Sequence, residues 1–346
     1  MIAVGADVKF RDGASQLAVD PVATLDVLEG LGLRGILVRA LDDAFPTLDA
    51  GDIARFARAA RDRGFVVRVG LGKINPYMTA ELPRIRRLGE GSYLAGMERM
   101  LRVCADNGWL EAWTATGGYK PQFPAPFCFD RFRTDVGWPA QLEATRRFLE
   151  RLAPALRATG VRLNVETHEE ITTHEILRLI EAVGPDLVGV CLDPANLPVR
   201  GEAFLPAARR VAPYTHLTHL RDAVLVRGEG GIARYLAPIG RGQIDWPALL
   251  AALSAAPEDA ALFIEGVGGT RARMLLAPDD PAWRAAHPDL DAEEIAEIAR
   301  LAEAGAADPA LRDGFAPLAA DAREDHLAFL RVSLDALRGH FDARNP

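Results

Sequence analysis

Eight short runs rich in β-branched and apolar residues recur along the chain, separated by longer stretches of helical period. This alternation constrains the fold more than any other feature, because strands joined by crossover helices pair in parallel and bury both faces. The strand candidates are residues 2–9, 35–40, 65–72, 109–116, 161–168, 187–193, 215–222 and 261–266. Helical patterns start near residue 21 and cover 50–63, about 91–107, 138–158, 173–183, 201–211, 245–255 and 323–341. Asp20 before Pro21 and Asp245 before Trp246-Pro247 read as helix caps, and Gly30, Gly32, Gly64 and Gly108 as helix ends.

No change of composition divides the chain, so the expectation is one α/β domain over residues 1–346, a closed (β/α)₈ TIM barrel. An open doubly wound sheet is the alternative that the same alternation allows. Val188, Val190 and Leu192 are expected to point into the barrel, and Gly230-Gly231 to form a flexible loop. Residues 267–322, between the eighth strand and the last helix, far exceed a normal βα connection. In a barrel such an insertion leaves from the C-terminal face, where active sites lie, so it is expected over that face as a lid or docking surface.

Of the 346 residues 49% are hydrophobic and 25% charged, enough for a large core, and the formal net charge is −8. An acidic chain has no electrostatic reason to seek nucleic acid. Cys104, Cys128 and Cys191 are too few and too scattered for a disulfide framework or a thiolate metal site, which points to a reducing, cytoplasmic setting. No apolar run approaches the roughly 18 residues of a membrane-spanning helix, and no leader is expected.

The chemistry gathers at the C-terminal ends of the last four strands. There the sequence places Glu166 with His168, Asp193, His219 and Glu265. Strand ends of a barrel surround one mouth, so these groups converge although they are distant in sequence. Three carboxylates at one mouth repel one another unless a cation joins them. The mixed oxygen and nitrogen donor set suits one divalent metal: Mn²⁺ first, with Mg²⁺, Co²⁺ or Zn²⁺ as alternatives. Glu166, Asp193, His219 and Glu265 are the expected ligands. His168, two residues beyond Glu166, is expected to face the same mouth and to act as an acid or base near neutral pH.

NVETHE (164–169), LDPAN (192–196), THLRDA (218–223), GRGQIDW (240–246) and FIEG (263–266) resemble, in order and in strand placement, the xylose isomerase-like barrel superfamily of sugar isomerases and epimerases. The resemblance implies the same four metal ligands and proton transfer by Glu166 and Glu265 from the two faces of a sugar. It also implies a substrate contact at Asn196, where many epimerases carry histidine. The implied reaction is isomerisation or epimerisation through an enediolate. The alternative is a lyase acting on a 3-oxo sugar with His168 as acid or base, as in inosose dehydratases and C-glycoside deglycosidases. The implied ligand is a small polyhydroxylated molecule (sugar, inositol or glycoside), and the implied assembly a homo-oligomer or a complex with a small partner subunit.

Further candidate contacts are Lys73 and Asn75 after the third strand, Asp7 and Lys9 near the end of the first, and Trp113 on the fourth as a stacking or core residue. Arg221 and Asp222 are expected to pair near the mouth and to contact the substrate there. Gly240-Arg241-Gly242 is either a phosphate cradle or a plain turn.

Overall fold

In the computed structural model, which describes residues 4–10, 17, 20–267 and 271–342, eight parallel strands form a ring and three antiparallel strands form a flap. In chain order they are β1 (Val4–Val8), β2 (Gly35–Val38), β3 (Val66–Gly70), β4 (Glu111–Thr114), β5 (Arg162–Glu166), β6 (Val188–Leu192), β7 (Thr215–Thr218), β8 (Asp222–Gly228), β9 (Gly231–Ala237), β10 (Leu262–Ile264) and β11 (Met274–Leu276). β1 to β7 follow one another around the ring, and β10 pairs with β1. The seam between β7 and β10 is carried by parallel bridges at Leu217–Ala261 and Leu220–Ile264. The chain is therefore a (β/α)₈ barrel and not an open sheet. Residues 2 and 3 of the expected first strand lie outside the described residues.

The helices start where side chains satisfy their first free amides. The Asp20 carboxylate accepts from Val22 N at 2.8 Å and Ala23 N at 3.0 Å. Thr172 and Glu175 form a reciprocal capping box on the helix Thr173–Val183. Asp245 accepts from Ala248 N at 3.0 Å ahead of the helix Trp246–Ala252.

Successive strand residues face opposite sides, and this decides what reaches the mouth. Leu37, Trp113, Ala115, Cys191, Leu217, Ala261 and Phe263 fill the barrel. Val188, Val190 and Leu192 lie instead in the layer between barrel and helices, the reverse of expectation. β6 is apolar on both faces, so its sequence carries no parity signal. Gly5 makes room for Phe263, whose ring would lie 2.6 Å from a Cβ there.

The expected seventh strand divides in two. β7 stops at Thr218, and from Asp222 the chain turns into the antiparallel hairpin β8–β9, to which β11 adds. Gly230 (φ 82°) and Gly231 (φ 139°) shape its tight turn where a flexible loop was expected. The helix Ala292–Ala307 lies on β8 so closely that a Cβ on Gly305 would meet the Leu225 carbonyl oxygen at 1.9 Å.

The chain after β11 also reaches the loops above the barrel. Arg131 Nε donates to Ala286 O at 2.8 Å, and Arg178 pairs with Asp289 at 2.6 Å. The fully buried Arg200 meets His287 Nε2 at 2.9 Å, with its guanidinium over Phe129 and Trp283. Among the described residues no helix is long and apolar enough to cross a membrane.

Candidate metal centre

At the C-terminal end of the barrel the alternation continues one step beyond the apolar interior. Asp7, Arg39, Glu166, Asp193, His219 and Glu265 each stand two residues after Gly5, Leu37, Asn164, Cys191, Leu217 and Phe263. The polar side chains thus form a layer above the barrel's filling.

Three of the four expected ligands converge. His219 Nδ1 lies 3.0 Å from Glu166 Oε1 and 3.7 Å from Glu265 Oε2. Bonds of about 2.0–2.2 Å to one ion put neighbouring ligand atoms about 3 Å apart, so the spacing fits a shared cation. Glu265 Oε2 is buried without a well-aligned hydrogen bond, as a metal donor awaiting its ion would be. His219 Nε2 faces Asp7 Oδ2 at 3.0 Å, an arrangement that would hold the imidazole with Nδ1 turned toward the ion. Trp113 Nε1 donates to the remaining Glu166 oxygen at 3.1 Å. The donor set fits a hard or borderline divalent ion.

Asp193, the fourth expected ligand, stands apart from this trio. Its Oδ2 is held by Arg221 and, at 2.9 Å, by Asn196 Nδ2, while Oδ1 accepts from Ala195 N at 3.0 Å. Two arginines interleave with the acids. Arg39 bridges Asp7 (2.5 Å) and Glu265, and Arg221 bridges Asp193 and Glu265 (3.0 Å).

Burial opposes ionisation throughout, and the neighbouring charges decide the outcome. Burial alone would raise the Glu166 carboxyl, but His219, His168 and Arg39 together hold it well below the usual range. Arg221, Arg39 and His219 do the same for Glu265. Asp193 is the exception, pushed up to about 6 because burial outweighs Arg221. The two carboxylates of the trio are therefore ionised at neutral pH. At His219 burial is outweighed by Cys191, Glu166 and Asp7, which raise it well above its ordinary value, so an ion would bind there by displacing the imidazolium proton.

His168 stands at the rim with Nδ1 on Glu170, whose other oxygen accepts from Thr116 Oγ1 at 2.8 Å. Burial disfavours the His168 cation, yet Glu170 and Glu166 raise its pKa to about 9. The Glu170 carboxyl is held down to about 2 against its own burial, chiefly by His168.

The other expected contacts divide. Lys73 reaches the mouth, its ammonium 5.1 Å from the Trp113 ring centroid. Trp113 itself is buried between Lys73 and Arg39 (5.0 Å), so its ring supports the site and leaves no open face for a sugar. Asn196 braces Asp193. Asp222 does not pair with Arg221. Its carboxylate, pushed up to about 6 by burial, accepts from Ala223 N, Gly240 N, Ile244 N and Trp246 Nε1 at 2.8–3.1 Å. These contacts also decide the Gly240-Arg241-Gly242 question. The amide at Gly240 is turned onto Asp222, and the segment is a turn around that carboxylate, not a phosphate cradle.

Arg39 and Glu170 were missed. Arg39 directly follows the apolar run of β2 at an inward parity, which was the available signal. Glu170 lies beyond strand periodicity and gave none. At the opposite end of the barrel Glu111, His216 and Asp259 also cluster, but Arg162 already sits 2.9 Å from Glu111 and 2.7 Å from His216.

The model of the xylose isomerase-like TIM barrel family matches residues 25–287. The 3-oxo-isoapionate decarboxylase of Pectobacterium atrosepticum is 28% identical over 120 residues, 34% of this chain and 43% of that protein. The aligned stretches span 31% and 43% of the length of the curated relatives matched. A D-psicose 3-epimerase from Clostridium cellulolyticum, solved with D-tagatose, superposes with TM-score 0.58 at 16% identity, covering 97% of this chain and 99% of that one. A xylose isomerase-like barrel from Mycobacterium smegmatis, solved with magnesium, gives 0.57 at 16% identity, covering 88% and 98%. With a family model matching most of its length and a barrel that closes as that family's does, the chain belongs to the xylose isomerase-like TIM barrel family.

Proposed function

We propose that the protein is a divalent-metal-dependent isomerase or epimerase of a polyhydroxylated ketone. The observation that carries this reading is the trio Glu166 Oε1, His219 Nδ1 and Glu265 Oε2, two carboxylates and an imidazole at the spacing of ligands to one ion. Asp193 would be a fourth ligand if Arg221 released its Oδ2. A bound Mn²⁺ or Mg²⁺ would supply Lewis-acid polarisation of the substrate carbonyl and the adjacent hydroxyl.

The rest falls to the chain's own groups. One of Glu166 and Glu265 removes the carbon-bound proton beside the carbonyl, and the C–H electron pair moves into the carbonyl to give an enediolate. Return of a proton to the opposite face gives the epimer, and return to the neighbouring carbon gives the isomer. His168, fixed through Nδ1 by Glu170, moves protons between substrate oxygens at the rim. Residues 271–322, tied to the loops above the barrel through Arg131, Arg178 and Arg200, wall this mouth. The magnesium in one neighbour and the tagatose in another agree with the reading.

A second reading has one specific support. The His168–Glu170 pair at the rim is placed to protonate a departing group, and a relative is named as a decarboxylase of a 3-oxo acid. Cleavage of a 3-oxo substrate would use the same trio. The two separate in D₂O. Mn²⁺-loaded protein incubated with fructose, tagatose or psicose is expected to introduce deuterium at C3, followed by NMR. No exchange with any ketohexose, together with cleavage or decarboxylation of a 3-oxo sugar derivative, overturns the isomerase reading.

A further inference from the structure

The mouth is basic at its rim and acidic at its floor. Side chains of Glu166, Asp193 and His219 are fully buried, Asp7 is 1% exposed, and Glu265 and Arg221 are at 9% and 8%. The groups that remain accessible are Arg39 (16%), His168 (18%) and the half-buried Lys73.

Their charges are not equally matched. Asp7, Glu166, Asp193 and Glu265 bring four negative charges, and Arg39 and Arg221 answer two of them. The divalent ion proposed above would answer the other two. Glu170 and His168 pair with each other. Lys73 is left over: its ammonium rests against the Trp113 ring and makes no ion pair or hydrogen bond among the described residues. Burial opposes the charge of this ammonium, Glu170 and Glu166 support it only from beyond ion-pair distance, and hydroxyl groups of a neutral sugar would add little. An anionic oxygen pair from the ligand would support it directly. Arg39 lies against the same indole but is already paired with Asp7 and Glu265.

We propose that Lys73 binds a carboxylate carried by the substrate, so that the protein takes a sugar acid or an oxo-acid derived from one in preference to a neutral ketose. The inference rests on the metal reading, which supplies the charge that leaves Lys73 unmatched. The carboxylate lies beside the trio, because Trp113 touches Lys73 on one side and donates to Glu166 on the other. The acid group is therefore close to the reacting carbons, not at the far end of a long chain.

The test is calorimetric titration of Mn²⁺-loaded protein with threonate, ribonate and gluconate, each against its alditol (threitol, ribitol, glucitol), with blanks for chelation of Mn²⁺ by the acids. At least one aldonate is expected to bind about tenfold or more tightly than its alditol, as for a charge-assisted contact. In Lys73→Met that preference is expected to vanish while Mn²⁺ affinity stays unchanged. Lys73 has no partner to orphan, so the variant should fold, and its melting temperature checks this. Equal binding of every aldonate and its alditol by the unaltered protein overturns the proposal, and so does a preference that survives in Lys73→Met. Ribose phosphate bound more tightly than every aldonate overturns the carboxylate assignment. The titrations are repeated after metal removal. A preference seen there and lost in Lys73→Met upholds the carboxylate subsite even if Mn²⁺ fails to bind and the metal reading falls.

Discussion

Glu265→Gln is the sharpest perturbation of the candidate centre, because it removes one charge and almost no volume. Glu265 Oε2 lies 3.7 Å from His219 Nδ1 and 3.0 Å from Arg221, while Oε1 meets Arg39. Two consequences follow, with different signatures. Without metal, the two guanidiniums lose the anion they share. Breaking a buried ion pair costs up to about 3–5 kcal/mol, reduced here because Arg39 keeps Asp7 and Arg221 keeps Asp193. The melting temperature of the metal-free variant should therefore fall. With metal, the ion loses a charged ligand. Groups that merely support a ligand change metal affinity by about 10–100-fold, so a ligand's own charge should be worth at least ~100-fold, or about 2.7 kcal/mol. The assay is calorimetric titration with Mn²⁺ at a temperature where circular dichroism shows both proteins folded. Unaltered Mn²⁺ affinity in a folded Glu265→Gln protein would refute the trio as a metal site, whatever happened to turnover.

Arg221→Met frees an oxygen on Asp193 and another on Glu265, so Mn²⁺ should bind about tenfold or more tightly, while the metal-free protein melts earlier; weaker Mn²⁺ binding would count against competition between guanidinium and ion. His168→Asn should keep its Mn²⁺ affinity and lose deuterium exchange, and full exchange would remove His168 from the chemistry. Gly305→Ala pushes a methyl group against the Leu225 carbonyl and should destabilise by about 1–3 kcal/mol in urea unfolding, so an unchanged midpoint would mean that helix and hairpin separate easily. His287 is buried, and that burial together with Arg200 and Arg131 holds its pKa below the ordinary value. The unfolded chain then binds the proton first as pH falls, and stability is lost below about pH 6.5 at roughly 1.4 kcal/mol per pH unit relative to His287→Gln, a slope that parallel stability curves for the two proteins would disprove.

The barrel was legible because two periods alternate along the chain, and hydrophobic burial demands both of them. What was illegible is instructive. DAVLVRG and GIARYLA alternate well enough to be strands, yet they follow a strand directly, and an eightfold rhythm had no place for them. They pair with each other in antiparallel fashion, and the helix Ala292–Ala307 covers β8, so the hairpin and the long insertion form one unit whose strands and helix are far apart in sequence. Periodicity describes local structure and is silent on such distant pairing.

The site shows the same division between what parity encodes and what packing decides. Glu166, His219 and Glu265 could be placed together because each extends an inward strand parity by one step, and that rule holds without knowing any neighbour. Applied to β2, the same step also yields Arg39, whereas β6, apolar on both faces, gave the step nothing to extend. Asp193 obeys the parity too, yet its carboxylate is bound by Arg221 and Asn196. Parity places a side chain in the layer but does not choose its partner. That choice rests on competition between guanidinium and metal for the same oxygens, an electrostatic balance that shifts with one added charge. A divalent ion entering the layer changes that balance by two charges. The pairing of Asp193 with Arg221 is therefore the contact in this centre most open to exchange, and Arg221, released from it, would stand at the mouth as a further donor to an acidic substrate.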